Sequence, residues 1–278
     1  MPAHATGDAP PPLPLVTVPD GLRHLQPHVV PDLIRLGGDG DGGYVLPQRA
    51  VHAADALVSL GLGADWSFDE AFLTMLPHAR VHAYDHTVGV GVWRWQLVRA
   101  GVRLAAGRGT VREVTAVAAL MRRYRRTFPA HMRHYRERVW NRKVSGNDVT
   151  VREALGRIGS QQVVLKIDIE GAEYRIIQEI IDCADQIVGL IVEFHDTELL
   201  RALFREATEA RANTFDLVHL HANNAVGTAA DGFPEIVELS FVRRGLCEFE
   251  GRRSSLPVPG VDRANNPRKT DFRLHFAD

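Results

Sequence analysis

Short apolar runs alternate with amphipathic stretches along most of the chain, a pattern that predicts parallel strands joined by helices. The run at Val163-Val164-Leu165 organises the rest. It is rich in β-branched residues, which predicts a strand buried on both faces. Ile176, Ile177, Ile180 and Ile181 then recur at helical spacing, and Gly171 lets the chain turn between the two. Upstream, Leu33-Ile34-Arg35 and Tyr44-Val45-Leu46 flank Gly37–Gly43, a loop with five glycines among seven residues. Ala56–Leu62 predicts another buried strand, and Ser67 with Glu70 predicts the capping box of the next helix. Arg80–His86 predicts a second strand, Val88–Ala100 a helix and Val102–Ala106 a third strand. Met132, Tyr135 and Val139 fall at i, i+3 and i+7, predicting an amphipathic helical excursion broken near Pro129. Thr150 and Glu153 predict a second capping box ahead of the central strand. Gly189–His195 and Phe215–Leu220 read as strands around an amphipathic helix, Thr197–Arg211. Glu235–Arg243 reads as a last strand. No helix separates it from Phe215–Leu220, so these two pair antiparallel.

Residues 1–19 hold six of the fifteen prolines, which predicts an extended, disordered tail. Residues 20–278 then read as a single domain with a basic helical insertion at about 111–143. Lys and Arg total 33 against 34 Asp and Glu, a balance that disfavours nucleic acid as partner. Cys183 and Cys247 have neither metal nor disulfide-framework spacing. No run is long and apolar enough to span a bilayer, and no secretory leader is evident, so a cytoplasmic location is expected. Between Met121 and Lys143 lie nine Lys or Arg and one acid, Glu137. That basic face suits an acidic small-molecule or glycan acceptor, or a membrane surface; a merely solvated helix face accounts for it equally well. The oligomeric state is not legible.

Candidate chemistry gathers at strand ends, where α/β sheets bind ligands. Asp168 and Glu170 follow the central strand, and Glu173 reads as a helix cap. Ala56–Leu62 runs into the turn Gly61-Leu62-Gly63, but Trp66 takes the place of a third glycine, and Asp69 and Glu70 at the helix start repel a pyrophosphate. Asp85, about twenty residues on, has the spacing of an acid that receives ribose hydroxyls. Asp39 and Asp41 do not complete a calcium loop; their glycine loop reads equally as a hairpin turn or a ligand lid. Glu193, His195 and His221 stand near later strand exits. A histidine can take a proton near neutral pH. Asp168, Glu193 and His195 are plausible ligands for a divalent metal, yet such groups often only hydrogen-bond one another, so no metal is assigned.

Several segments together resemble the FkbM-type S-adenosylmethionine-dependent methyltransferases: DGGYVLP (Asp41–Pro47), SLGLGADWSFDEAF (Ser59–Phe72), AYDHT (Ala83–Thr87), KIDIEGAEYRII (Lys166–Ile177), VEFH (Val192–His195) and HANN (His221–Asn224). The resemblance spans roughly residues 33–244. It implies a class I methyltransferase fold of the Rossmann-like α/β type: a seven-stranded mixed sheet with helices on both faces and an antiparallel C-terminal strand pair. It implies S-adenosylmethionine as donor and a hydroxyl of a sugar, glycan or natural product as acceptor. By this resemblance Gly61 and Gly63 lie against the cofactor and Asp85 receives its ribose. Many methyltransferases carry an acid where Ser59 stands, which leaves the cofactor amino group to Asp41, Asp65 or Asp168. Asp168 or Glu170 would orient the acceptor hydroxyl, and His195 or His221 would take its proton. Two other classes remain as alternatives, a nicotinamide-dependent oxidoreductase and a non-catalytic nucleotide-binding module.

Overall fold

The computed structural model describes residues 14–128 and 132–277. In chain order its strands are β1 (Leu15–Thr17), β2 (Leu33–Leu36), β3 (Tyr44–Pro47), β4 (Ala56–Leu60), β5 (Arg80–Tyr84), β6 (Arg133–Tyr135), β7 (Arg138–Val139), β8 (Asp148–Val149), β9 (Val163–Ile167), β10 (Ile187–Phe194), β11 (Phe215–Ala222), β12 (Val237–Arg243), β13 (Ser255–Leu256) and β14 (Arg273–His275). Its α-helices are α1 (Gln48–His52), α2 (Ser67–Met75), α3 (Val90–Ala105), α4 (Val111–Thr127), α5 (Val151–Ile158), α6 (Glu173–Asp182) and α7 (Arg201–Glu209).

Seven strands form one sheet in the order β6-β5-β4-β9-β10-β12-β11. Only β12 runs against its neighbours, pairing antiparallel with both β10 and β11. The strand period of two divides each buried strand between two cores. Ala56, Val58 and Leu60 of β4 and Val163, Leu165 and Ile167 of β9 pack with the apolar stripes of α5, α6 and α7. Leu57 and Val164 face the other way, toward the β2–β3 hairpin, α2 and α4. Ile176, Ile177 and Ile180 of α6 are all buried, and each such side chain contributes about 1.5–3 kcal/mol relative to exposure. With helices on both faces and an antiparallel closing pair, this is the class I methyltransferase fold that the sequence predicts.

Several local expectations are corrected. Val102–Ala106 is no strand; the helix begun before it runs on, and α3 ends at Ala105. A short apolar run reads alike as strand or helix, and Gly101 does not stop the helix. The third parallel strand is β6, inside the stretch predicted as helical from Met132, Tyr135 and Val139. There Tyr135 stacks on Tyr84 with ring centroids 4.8 Å apart. Residues 1–13 of the predicted tail and Pro129 lie outside the described residues, but Leu15–Thr17 is a strand paired in parallel with β14. The Ser67–Glu70 capping box does not form. Ser67 Oγ accepts from Gly38 N–H instead, and Asp65 accepts from Ser67 N–H. Thr150 and Glu153 do make their capping box. The glycine loop joins the paired strands β2 and β3 as a hairpin.

Candidate active site at the strand ends

β4 and β9 lie side by side, and their carboxyl ends carry the glycine turn and Asp168. Gly61 takes φ +85°, and a Cβ there would stand 1.6 Å from the Asp168 carbonyl oxygen. Only glycine permits that approach. Gly63, at φ +58°, has nothing within 4 Å of where its Cβ would be, so the turn is open above its backbone. Beside Gly61 a cavity of about 300 Å³ is lined by Tyr84, Asp85, Thr87, Val139, Trp140, Asp168, Ile169 and Glu170, among others. Its walls are mostly apolar and aromatic, with carboxylates at the strand ends, the character of a small-molecule site. A second cavity, of about 220 Å³, is lined by His24, Thr208, Asp216 and Arg244 near the start of β11, with none of the strand-end acids.

The predicted convergence of Asp168, Glu193 and His195 is present. The Tyr44 hydroxyl stands between two carboxyl groups, 3.1 Å from Asp168 Oδ2 and 3.0 Å from Glu193 Oε2. His195 Nε2 lies 4.0 Å from Asp168 Oδ1 and 3.5 Å from Glu170 Oε2. Its other nitrogen, Nδ1, is 3.2 Å from Glu173 Oε1. Glu173 is fully buried, and that same oxygen accepts the N–H groups of Ile169 and Gly171. It therefore both ties down the loop before α6, as a cap would, and fixes the imidazole ring. Burial alone would depress the His195 pKa; the Glu173 carboxylate, then Glu193 and Asp168, raise it to about 9. Burial, then the charges of Asp168 and Glu238, push Glu193 up to about 8. Glu170 and Asp196 both hold left-handed backbone, φ +56° and +53°, a strained conformation for residues other than glycine. The donor atoms of Asp168, Glu170 and His195 lie within 4.8 Å of one another, a set that could hold a divalent cation. Glu193, counted among the ligands from the sequence, is occupied by Tyr44 and by Asn223 Nδ2 at 2.8 Å.

The other sequence candidates divide. Asp85 lines the cavity, but its carboxylate is engaged: Oδ2 accepts from Leu62 and Gly63 N–H at 3.0 Å each, Oδ1 from Thr87 N–H and Oγ1. A carboxylate offers about four such positions, so Asp85 here clamps the glycine turn. Those hydrogen bonds outweigh burial and hold its pKa below the ordinary range. Asp41 stands on the hairpin close enough to Asp168 and Glu238 that their charges, after burial, raise its pKa. Asp65 is drawn aside to Ser67 and to Arg123 at 3.6 Å. His221 is not in the cavity. It is buried between Glu238 at 3.6 Å and Asp271 at 3.5 Å, and although burial opposes it, those carboxylates raise its pKa to about 10. A ring enclosed between those two carboxylates and outside the cavity is out of reach of a hydroxyl held there.

Four residues at the site escaped sequence reasoning: Tyr44, Lys166, Glu173 as partner of His195, and Asn223. Lys166 is 4% exposed. Its Nζ donates to Gly61 O at 2.8 Å and lies 3.5 Å from Asp168 Oδ2 and 5.1 Å from the Tyr44 ring centroid. A lysine inside the run VVLKI was the available signal, since lysine is almost never buried unpaired. Ser59 pairs with Lys166 across β4 and β9, on the side of the sheet that holds α2. There Asp69 is buried, and its pKa rises to about 6 because burial outweighs the Lys166 charge.

No protein-family model matches the chain, and no curated protein matches it by sequence. Solved structures similar to it include a fibrillarin/Nop5p complex, at 7% identity and TM-score 0.36 over 69% of this chain and 73% of that one. Precorrin-6y C5,15-methyltransferase from Geobacter metallireducens GS-15 is similar at 10% identity and TM-score 0.35, over 70% and 86%. NcsB1, an O-methyltransferase from neocarzinostatin biosynthesis in complex with S-adenosyl-L-homocysteine, is similar at 13% identity and TM-score 0.31, over 69% and 50%. Likeness this distant carries no argument of its own. Among the described residues, no helix is long and apolar enough to cross a membrane.

Proposed function

We propose that the protein is an S-adenosylmethionine-dependent O-methyltransferase of the FkbM type, acting on a hydroxyl of a sugar, glycan or natural product. The observation that carries this reading is the pair of carboxylates, Asp168 and Glu170, that line an aromatic-walled cavity beside an open glycine turn. Such a site repels a pyrophosphate and accepts a sulfonium or ammonium. S-adenosylmethionine, when bound, supplies an electrophilic methyl group on a sulfonium.

Trp140, Val139 and Ile169 offer a surface on which a nucleobase packs. Asp85 takes ribose hydroxyls in exchange for its contact with Thr87 while keeping the turn closed. Asp41 and Asp168 receive the amino group for which Ser59 provides no acid. Asp168, held by Tyr44 and Lys166, and Glu170 orient the acceptor hydroxyl; alignment of the reacting atoms is the larger part of what a protein adds to such a displacement. His195 Nε2 takes the hydroxyl proton, and Glu173 stabilises the resulting imidazolium.

Calorimetric titration with S-adenosylhomocysteine and, separately, with NAD tests the cofactor. Binding of the first and not the second is expected, and the reverse would replace methyl transfer with hydride transfer. Methyl transfer from labelled donor to a panel of sugars then tests the acceptor class. Donor binding with no transfer to any acceptor would leave a binding module.

A further inference from the structure

Helix α3 carries two apolar faces. Trp93, Leu97, Ala100 and Leu104 form the first, with Trp93 and Ala100 buried and the leucines half-buried. The opposite side of a helix that only packs on a core is polar. Here it presents Trp95, Val98 and Val102, at i, i+3 and i+7, which are 61%, 66% and 64% exposed. At about 3.6 residues per turn these three share a narrow strip of helix surface, with Arg94 along one border and Arg99 and Arg103 along the other. All three arginines are exposed. The Arg99 guanidinium lies 5.4 Å from the Trp95 ring centroid, and Arg103 has Glu113 at 3.8 Å. Helix α4 packs alongside α3. Across residues 88–132 the sequence holds nine arginines and a single acid, Glu113.

The charge and the shape together select a partner. A second copy of the chain laid face to face would set arginine against arginine. A nucleic acid would meet the arginines but leave the valines in water. Side chains this exposed project as a ridge rather than lining a groove, so a rigid protein helix finds no channel there. A lipid headgroup layer meets all three features: tryptophan settles at its interface, valines enter the acyl boundary and arginines pair with phosphates. We propose that the outer face of α3 docks this protein on an anionic membrane surface, with Trp95, Val98 and Val102 inserted and Arg94, Arg99 and Arg103 on the headgroups. Each arginine near an anionic surface strengthens such binding several-fold, and salt weakens it. The proposal stands apart from methyl transfer.

Sedimentation of the whole chain with vesicles tests it, comparing phosphatidylcholine alone with vesicles in which about one-third of the lipid is phosphatidylglycerol. Binding to the anionic vesicles only, declining as salt rises, is expected. Trp95→Ser/Val98→Ser/Val102→Ser, at exposed positions whose folding is checked by circular dichroism, lowers that binding by about ten-fold or more. Arg99→Glu/Arg103→Glu has an effect of the same order. Absence of binding to anionic vesicles would overturn the proposal, as would equal binding to the two lipids or unchanged binding by the folded triple variant. Dimerisation that the triple variant abolishes would reassign the face to a second copy of the chain.

Discussion

Gly61 shows how tightly one position can be specified. A methyl group there meets the Asp168 carbonyl at 1.6 Å, so Gly61→Ala forces the ends of β4 and β9 apart. Overpacking of this kind costs about 2 kcal/mol or more, and each kcal/mol lowers the melting temperature of a chain this size by roughly 2–4 °C; thermal unfolding measures it. Lys166→Met removes the cation that faces Asp168 and Asp69 from the buried side. Leaving carboxylates uncompensated in a buried setting costs about 3 kcal/mol, and denaturant titration reads that loss. His195 makes a kinetic prediction. The imidazolium is favoured up to about pH 9, so a rate that needs the neutral ring climbs about ten-fold per pH unit below that value and then levels. His195→Ala should abolish the climb; a flat profile in the unaltered protein would hand the proposed base role to Asp168. Asp168 was legible because an aspartate after an apolar run is out of place in a strand. Tyr44 was not. Nothing in its own segment says that it faces two carboxylates from strands more than a hundred residues away.

At the level of elements, the glycine hairpin between β2 and β3 is braced by the C-terminal segment. Asp41 N–H donates to Asn265 O at 3.2 Å, and Asn265 Nδ2 donates to Glu238. Asn265→Ala leaves Glu238 without that donor, and amide exchange across residues 37–43 should quicken while that of β9 stays unchanged. The same segment is pinned by His219 on Asp262 at 2.9 Å and by His221 between Glu238 and Asp271. His221 is raised from 6.5 to about 10, so its contribution is complete below pH 6.5 and fades as pH climbs through 10. Asp262 is lowered from 3.8 to about 2, despite burial, chiefly by His219, so its contribution is complete above pH 3.8 and fades as pH falls through 2. Both pins therefore hold fully between pH 3.8 and 6.5, and proteolysis of residues 245–277 should accelerate on the alkaline side first. The Thr150 capping box was readable because both partners lie within four residues. The identity of β6 was not, because a three-residue strand owes its existence to the β5 edge it covers rather than to its own pattern.

For the molecule as a whole, the order of alternating strands and helices was legible from periodicity, and so was the antiparallel ending, since no crossover helix fits between Phe215–Leu220 and Glu235–Arg243. The reach of the last thirty residues over the sheet was not, because that stretch is polar and turn-rich and carries no period. If the strand-end cavity binds the donor nucleoside, S-adenosylhomocysteine at a hundred times its dissociation constant stabilises the fold by about 2.7 kcal/mol, and the melting temperature rises accordingly while NAD leaves it unmoved.

The pairing of β1 with β14 has a consequence for the making of the protein. Residues 18–272 must be made between Leu15–Thr17 and its partner, Arg273–His275. β1 must wait for all of that synthesis, and Asn265, the brace on the Asp41 loop, arrives almost as late. A nascent chain can thus complete its central sheet, through β12, well before the hairpin beside Asp168 is braced.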